Sequence, residues 1–178
     1  MHKSSYNKMK NLVTKFVFDD GIDSGKVLDF GSYDVNGTYK DFFEPKAWQY
    51  VGLDMNSGPN VDIIPKNSYK WNEIPDEQFD LVISGQALEH CEFFWLIFKE
   101  IERVLKPGGK CIAIAPSGGH EHQFPVDCWR FYPDGMRALC KYVNLEVLSV
   151  ETDWEPIHYD DDSHLWKDTS LVAQKTSK

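Results

Sequence analysis

The chain has 178 residues, of which 42% are hydrophobic and 26% are charged, and its formal net charge at pH 7 is −9. This length allows one compact domain with a full hydrophobic core, and the ordinary composition excludes a disordered or fibrous chain. The negative charge argues against an extensive nucleic-acid surface, which would need clustered Lys and Arg. The four cysteines are widely spaced and form no CxxC pair, so neither a zinc knuckle nor a disulfide framework is indicated.

The distribution of apolar residues also bears on the compartment. No apolar window approaches the length of a membrane span, and residues 1–12 lack the apolar stretch of a signal peptide. We therefore expect a cytoplasmic protein without a membrane span.

Hydrophobic periodicity predicts strands and helices that alternate along the chain. Helical spacing of apolar residues predicts helices, and short apolar runs between glycine and proline turns predict strands. The predicted helices are Ser5–Asp19, Thr38–Glu44, Phe93–Leu105 and Pro133–Val143, and the predicted strands are Lys26–Phe30, Gln49–Leu53, Val61–Ile64, Phe79–Ser84, Lys110–Ala115, Leu145–Val150 and Ser170–Gln174. This alternation is typical of a mostly parallel sheet with helices on both faces.

Polar residues and glycines follow several of the predicted strands. Asp29 lies near the end of the first strand, a turn with Gly31 and Gly37 follows it, and Asp54 ends the second strand. We expect these residues to converge on one cleft, because ligands collect outside the carboxyl ends of parallel strands. The glycines form no GxGxxG motif, so by themselves they fit an ordinary strand-to-helix turn equally well. A carboxylate at the position of Asp54 can accept both hydroxyls of a ribose, and the combination favours a nucleoside ligand.

A succession of motifs resembles the class I S-adenosylmethionine-dependent methyltransferases, particularly their small type 11 group. The motifs are VLDFGSYDVNG, YVGLDM, FDLVISGQALEH and EIERVLKPGG before KCIAIAP, and they occur in this order between Lys26 and Pro116. The resemblance implies a Rossmann-like sandwich with a mostly parallel seven-stranded sheet. It also implies S-adenosylmethionine as the cofactor and S-adenosylhomocysteine as its product. We expect one domain over residues 1–178, with a flank helix in 1–25, a cofactor-binding half in 26–116 and an acceptor-side half in 117–178.

The resemblance assigns cofactor contacts to individual positions of this sequence. It implies that Asp29 and the backbone of Gly31 and Ser32 hold the methionine portion of the cofactor. Asp54 would bind the ribose hydroxyls, and Met55 would pack on the adenine. Ser84 and Gly85 lie where the fourth predicted strand, Phe79–Ser84, ends. They would line the methionine and sulfonium end.

The glycine-bearing turn departs from the family pattern. The usual second and third glycines are replaced by Tyr33 and Val35, and Gly37 is displaced. We therefore expect Tyr33 or Asn36 to shape the pocket. The usual acidic contact to the adenine is also missing, and a residue among 67–69 is the candidate substitute.

Three histidines are candidates for a general base, which a hydroxyl acceptor needs. His90 follows the strand Phe79–Ser84, where acceptor-side residues lie in this family, but orienting its loop is an equally good role for it. His120 and His122 lie in the segment after the next strand. Their HxH spacing also occurs in metal sites, but two ligands without a clear third assign no metal to the protein.

The segment Ser117–Phe131 contains the candidate acceptor-binding residues. Asp127, Trp129 and Arg130 suit a sugar or another polyhydroxyl acceptor, since they combine an aromatic face with charged groups. The structural alternative makes Trp129 a core anchor and Asp127–Arg130 an ion pair. The stretch HQFPVDCWRFYPDGMRAL also resembles segments of methyltransferases associated with glycan and surface-polysaccharide assembly.

The sequence therefore predicts a methyltransferase that acts on a small, hydroxyl-bearing acceptor such as a sugar or glycan precursor. Two alternatives stay open. The missing glycines favour a non-catalytic cofactor-binding module or partner subunit, and a similar sheet also occurs in nicotinamide-dependent oxidoreductases.

Overall fold

The computed structural model describes residues 2–155 and 157–176. The strands in this part of the chain are β1 (Ser24–Phe30), β2 (Ala47–Leu53), β3 (Phe79–Gly85), β4 (Leu105–Pro116), β5 (Leu145–Thr152) and β6 (Asp168–Lys175). The α-helices are α1 (Lys3–Val13), α2 (Phe94–Val104) and α3 (Pro133–Val143), and a π-helical segment, Thr14–Phe18, continues α1. None of these helices is long and apolar enough to cross a membrane.

The six strands form one open sheet in the order β2-β1-β3-β4-β6-β5. Strands β1 to β4 pair in parallel, whereas β6 runs antiparallel to both of its neighbours, β4 and β5. The Rossmann-like class is confirmed, but within the described residues the sheet has six strands of mixed orientation instead of the predicted seven. The predicted strand Val61–Ile64 makes only an isolated bridge, between Ile63 and Leu53. Pro65 follows at once and has no N–H with which to extend the ladder.

Helices cover both faces of the sheet, as predicted. Adjacent residues of β1 point to opposite faces, so Val27 and Leu28 belong to different cores. Val27 packs in one core with Met9 of α1. Leu28 belongs to the other core, which contains Ile97 of α2 and Met136 of α3.

The predicted helix Thr38–Glu44 is wrong. Only one 3-10 turn, Lys40–Phe42, forms in this region. Phe42 and Phe43 are both buried in the core that contains α1, so the chain anchors two adjacent side chains instead of one helical face. Pro45 then prevents a second helical turn.

Candidate functional site

A cavity of about 760 Å³ lies at the carboxyl edge of the sheet. Its walls come from the turns after β1, β2 and β3, from the segment after β4 and from the loop before β6. This is where ligands bind in open α/β sheets, and the volume is that of a small-molecule site. The predicted cofactor positions that line the cavity are Asp29, Gly31, Ser32, Tyr33, Asn36, Gly37, Asp54, Met55 and Gly85. Ser84 is fully buried and lies outside this lining.

Two glycines allow the turns around the cavity to approach one another. Gly31 has a left-handed backbone (φ +81°), and a Cβ there would lie 2.5 Å from the Cβ of Ala87. Its N–H donates to the carbonyl of Leu53 at 2.9 Å, which ties the turn after β1 to the end of β2. A Cβ on Gly85 would lie 2.0 Å from the hydroxyl of Tyr39. Both positions therefore require glycine for steric reasons.

Asp29 presents a buried carboxyl group to the cavity. The side chain is 3% exposed, and the hydroxyl of Tyr50 donates to Oδ2, while Oδ1 has no hydrogen-bond partner among the described residues. Burial raises the pKa of Asp29 to about 7, although the hydrogen bond from Tyr50 acts in the opposite direction. A cationic ligand group beside Oδ1 would satisfy this carboxylate.

Asp54 is oriented by the backbone of two turns. Its Oδ2 accepts the N–H of Tyr33 at 3.2 Å, and its Oδ1 accepts the N–H of Asn56 at 3.1 Å. The ring of Tyr33 lies so close to Gly58 that a Cβ there would come within 1.9 Å of it. Tyr33 itself lines the cavity, so its side chain forms part of the wall in this turn.

Two of the three candidate histidines line the cavity together. The rings of His90 and His122 meet edge to face, with centroids 4.9 Å apart. The Nδ1 of His90 lies 2.6 Å from the carbonyl oxygen of Val126. Burial lowers the pKa of His122, although the charge of Asp127 opposes this. His120 lies outside the lining of the cavity and packs its ring near Trp166.

Glu89 is a site residue that the sequence did not single out. It is fully buried, and neither carboxyl oxygen has a hydrogen-bond partner among the described residues. One of these oxygens lies 3.7 Å from Nε2 of His90. Burial raises the pKa of Glu89 to about 8. The only available sign in the sequence was its place next to a candidate histidine.

The three candidate acceptor residues after β4 interact mainly with their own segment. Arg130 donates to both carboxyl oxygens of Asp127, at 2.6 and 2.8 Å, and to the carbonyl of His120 at 2.9 Å. This contact holds the pKa of Asp127 well below its usual range. Asp127 also accepts the backbone N–H of His122 at 2.8 Å, and Trp129 is 39% exposed. Asp127, Trp129 and Arg130 are absent from the cavity lining formed by the described residues, so their binding of the acceptor stays a prediction.

Unpartnered buried polar atoms gather at this edge of the sheet. Native structures usually satisfy such groups, so their concentration in one place indicates a ligand site. Except for Trp48, the described side chains that carry such atoms line the cavity or directly adjoin a residue that does: Asp29, Ser32, Ser84, Gln86, Glu89 and His122.

Distant segments supply lining residues that sequence reasoning missed. Of the candidate substitutes for the adenine contact, Ser68 and Tyr69 line the cavity, whereas Asn67 does not belong to the described lining. The lining residues to which the sequence assigned no role in the site include His2, Tyr39 and Trp166. Gln86 follows the predicted strand Phe79–Ser84 by two residues, which was a usable sign. The residues from the chain ends carried none, because only the tertiary fold brings them to the cavity.

Comparison with known sequences identifies one domain. Residues 36–113 match the family model described as "Methyltransferase domain", which spans somewhat under half of the chain and includes the turn after β2 and all of β3. No curated protein matches the chain.

Solved structures resemble the fold over nearly the whole chain. The N1-methyltransferase of 1,6-didemethyltoxoflavin from Burkholderia thailandensis, with S-adenosylhomocysteine bound, has a TM-score of 0.74 at 12% identity, over 98% of this chain and 80% of that chain. The [4+2]-cyclase SpnF has a TM-score of 0.71 at 17% identity, over 97% and 82%. The YcgJ protein of Bacillus subtilis has a TM-score of 0.68 at 14% identity, over 99% and 100%. At these identities the likeness shows the fold.

Proposed function

We propose that this chain is a class I S-adenosylmethionine-dependent methyltransferase that methylates an oxygen atom of a small hydroxyl-bearing acceptor. The match of residues 36–113 to the methyltransferase family model supports the first part of this proposal. A sugar or glycan precursor is the first candidate. The observation that carries the proposal is the composition of a single cavity. It brings Asp29 and Asp54, which suit the cofactor, together with His90 and His122, which suit an acceptor hydroxyl.

The cavity fits the cofactor at both of its polar ends. The free Oδ1 of Asp29 suits the ammonium group of the methionine portion, because it is buried and has no partner among the described residues. Asp54 would take the ribose hydroxyls, Met55 and Tyr69 would flank the adenine, and Gly85 would line the sulfonium end. When bound, the cofactor supplies a methyl group on a sulfonium, and the protein's part is to position the acceptor in line with it.

The two cavity histidines would receive the proton of the acceptor hydroxyl. The carbonyl of Val126 lies 2.6 Å from Nδ1 of His90, so this nitrogen carries the hydrogen and Nε2 is left to accept one. The lowered pKa of His122 keeps its ring neutral near pH 7, and it can therefore also accept a proton. Phe124 and Trp166 add aromatic surface to the cavity, which suits a sugar ring.

The residues of the segment after β4 would hold this arrangement. Asp127 and Arg130 fix the backbone of His122, and Trp129 offers an exposed aromatic face beside the segment. His120 would act on the acceptor only after a rearrangement of the segment, since its ring lies outside the cavity lining.

Calorimetry with S-adenosylmethionine and S-adenosylhomocysteine tests whether the protein binds the proposed cofactor. We expect both to bind, and Asp54→Ala to weaken binding by about 1–3 kcal/mol, because the ribose loses a charged acceptor. Asp41→Ala is the control, since Asp41 is exposed and lies outside the cavity lining. A folded sample that binds neither compound would overturn the proposal, and an unchanged affinity of Asp54→Ala would remove this residue from the site.

A panel of acceptors tests whether the methylated atom is an oxygen. Sugars and nucleotide sugars with free hydroxyls are offered beside amines and thiols, and transfer is followed by S-adenosylhomocysteine release and mass spectrometry. Methylation of hydroxyls is expected. Methylation confined to amines or thiols would contradict the proposed acceptor class while leaving the cofactor assignment intact.

A non-catalytic cofactor-binding module is the second candidate. Tyr33 and Val35 line the cavity where the family keeps glycine, so the cofactor would meet side chains in this turn. SpnF, which shares the fold, is a cyclase by name, and the fold therefore also carries other functions. Cofactor binding without turnover across the panel, with potential partner proteins present, would favour this candidate.

A further inference from the structure

Glu89, His90 and His122 form a compact group of metal-ligating side chains. One ligand atom from each residue lies within 4.8 Å of the corresponding atoms of the other two. His90 and Glu89 are adjacent on the turn after β3, whereas His122 comes from the segment after β4. The HxH pair of the sequence, His120 and His122, is therefore not the pair that the fold brings together.

Glu89 is the member of the group that most needs a partner. Its side chain is fully buried, and both carboxyl oxygens lack hydrogen-bond partners among the described residues. The guanidinium of Arg130 is already engaged with Asp127. A buried carboxylate without a donor or cation is costly, and a bound cation would remove this cost.

His90 is already oriented as metal-ligating histidines usually are. Its Nδ1 lies 2.6 Å from the carbonyl of Val126 and therefore donates to it, which leaves the lone pair on Nε2. That Nε2 is the atom 3.7 Å from the carboxyl group of Glu89. An outer hydrogen bond of this kind fixes the tautomer and the ring orientation of a ligand histidine.

His122 is held in place by a carboxylate that is itself unavailable as a ligand. Asp127 accepts the backbone N–H of His122 at 2.8 Å, and its Oδ2 lies 3.2 Å from the Nδ1 of the ring. Arg130 occupies both oxygens of Asp127. Asp127 therefore orients His122 without joining the group.

We propose that Glu89, His90 and His122 bind a divalent transition metal ion, with Zn²⁺ as the best match to this ligand set. Two imidazoles and one carboxylate are a common set for catalytic zinc, which keeps further positions open, and the same set also suits Fe²⁺. The ligand atoms, which lie within 4.8 Å of one another, would need to approach by about 1 Å to reach metal-bonding distances. Because His90 and His122 line the cavity, the open positions face it.

The metal gives the cavity a means of holding the acceptor. An oxygen of a hydroxyl or diol would occupy an open position, where the ion would favour loss of the hydroxyl proton to solvent water and would stabilise the negative charge left on that oxygen. The two histidines orient the acceptor through the ion in this state instead of contacting it directly. This use of the metal rests on the proposed methyl transfer to oxygen, whereas metal binding itself does not.

Zinc titration of the metal-stripped full chain tests the site. The protein is treated with a chelator, freed of it, and titrated with ZnCl₂ in a calorimeter without cofactor or acceptor. We expect one tight equivalent. Glu89→Gln and His122→Ala should each weaken it by at least about 100-fold, since loss of outer contacts alone typically costs 10- to 100-fold. Co²⁺ titrated in place of Zn²⁺ should give a visible absorption band that both variants lose.

Two histidine variants serve as matched controls. His120→Ala removes the other half of the HxH pair, and His158→Ala removes an exposed histidine whose ring lies 4.2 Å from that of His164 and could bind zinc adventitiously. Both should keep the wild-type zinc affinity. Three outcomes would each overturn the metal site. They are an equal loss of zinc affinity in His120→Ala, an unchanged zinc affinity in Glu89→Gln and His122→Ala, and a wild type that binds no tight equivalent of zinc.

Binding of S-adenosylhomocysteine is measured beside zinc binding. It distinguishes a failure of the metal site from a failure of the proposed function, and it shows whether a variant is folded. Glu89→Gln should bind S-adenosylhomocysteine as the wild type does, which shows that its zinc loss is local. A wild type that binds S-adenosylhomocysteine but no zinc overturns the metal site alone. One that binds zinc but neither cofactor compound overturns the proposed function alone.

Discussion

Different interactions hold the residues in place on the two sides of the cavity. On the proposed cofactor side, Asp29 lies within β1 and Asp54 directly follows β2, so the backbone hydrogen bonds of a parallel sheet place both carboxylates. On the proposed acceptor side, His122 lies in a segment without regular secondary structure, where its backbone N–H donates to the carboxylate of Asp127. The first arrangement follows from chain topology, whereas the second depends on a few individual contacts.

Because of this difference, we expect a mutation on one side of the cavity to affect that side and to leave the other side unchanged. A change in the turns after β1 and β2 should alter global stability and cofactor affinity together, because these turns are continuous with the sheet. A change in the segment after β4 should loosen that segment and leave the cofactor side intact. Mutations far apart with no shared contacts usually have additive effects, so the two classes can be combined to test their independence.

The largest expected effect comes from Gly31→Ala on the cofactor side. The new Cβ would meet a left-handed backbone and also lie 2.5 Å from the Cβ of Ala87, for a combined cost of about 2–4 kcal/mol in the free energy of unfolding. Gly21→Ala is the matched control, since Gly21 has φ +79° and nothing within 4 Å of its added Cβ. It should cost about 1–2 kcal/mol. Equal losses in urea denaturation would show that the crowding against Ala87 is unimportant.

Arg130→Met tests the acceptor side and should have a smaller effect on stability. The variant removes the donors that hold Asp127 and the carbonyl of His120, and we expect a loss of about 1–3 kcal/mol. Hydrogen exchange should accelerate in residues 120–128, while the affinity for S-adenosylhomocysteine stays within about twofold of wild type. Arg137→Met, which removes an exposed arginine 3.9 Å from Asp134, should change neither. A comparable loss of cofactor affinity in Arg130→Met would contradict the independence of the two sides.

The sequence correctly predicted that the residues of the proposed cofactor side meet in one cavity, for the same physical reason. Strand ends can be located from apolar runs and turn residues, and parallel pairing then brings Asp29 and Asp54 to one edge. The replacement of family glycines by Tyr33 and Val35 was also visible in the sequence, and both residues line the cavity. The failures on this side are local. Thr38–Glu44 and Val61–Ile64 are short segments in which buried aromatic residues or a proline override the local pattern.

The acceptor side resisted prediction because its geometry is non-local. The sequence offered His90, His120 and His122 as equals, and only the folded chain places His90 beside His122 and leaves His120 near Trp166. Glu89 lay next to a candidate histidine, but nothing in a single sequence shows that both of its carboxyl oxygens are buried without a partner. Side-chain contacts between distant segments have no periodicity that could reveal them.

The smallest expected effect is a pH dependence of cofactor affinity that comes from Asp29 and not from the segment after β4. Burial raises the pKa of Asp29 from 3.8 to about 7, so the stability that this group gives the ligand-free protein is lost as the pH rises from 3.8 to about 7. A cofactor ammonium would favour the charged carboxylate, and binding should therefore weaken as the pH falls below 7, by up to about tenfold per pH unit. Calorimetry with S-adenosylhomocysteine between pH 5.5 and 8, roughly the window in which this group titrates, measures the slope. Asp29→Asn should bind weakly with no such slope, because it has no proton to lose, while Arg130→Met should keep the wild-type slope. A slope that survives in Asp29→Asn would assign the titration to another group and detach Asp29 from the ammonium.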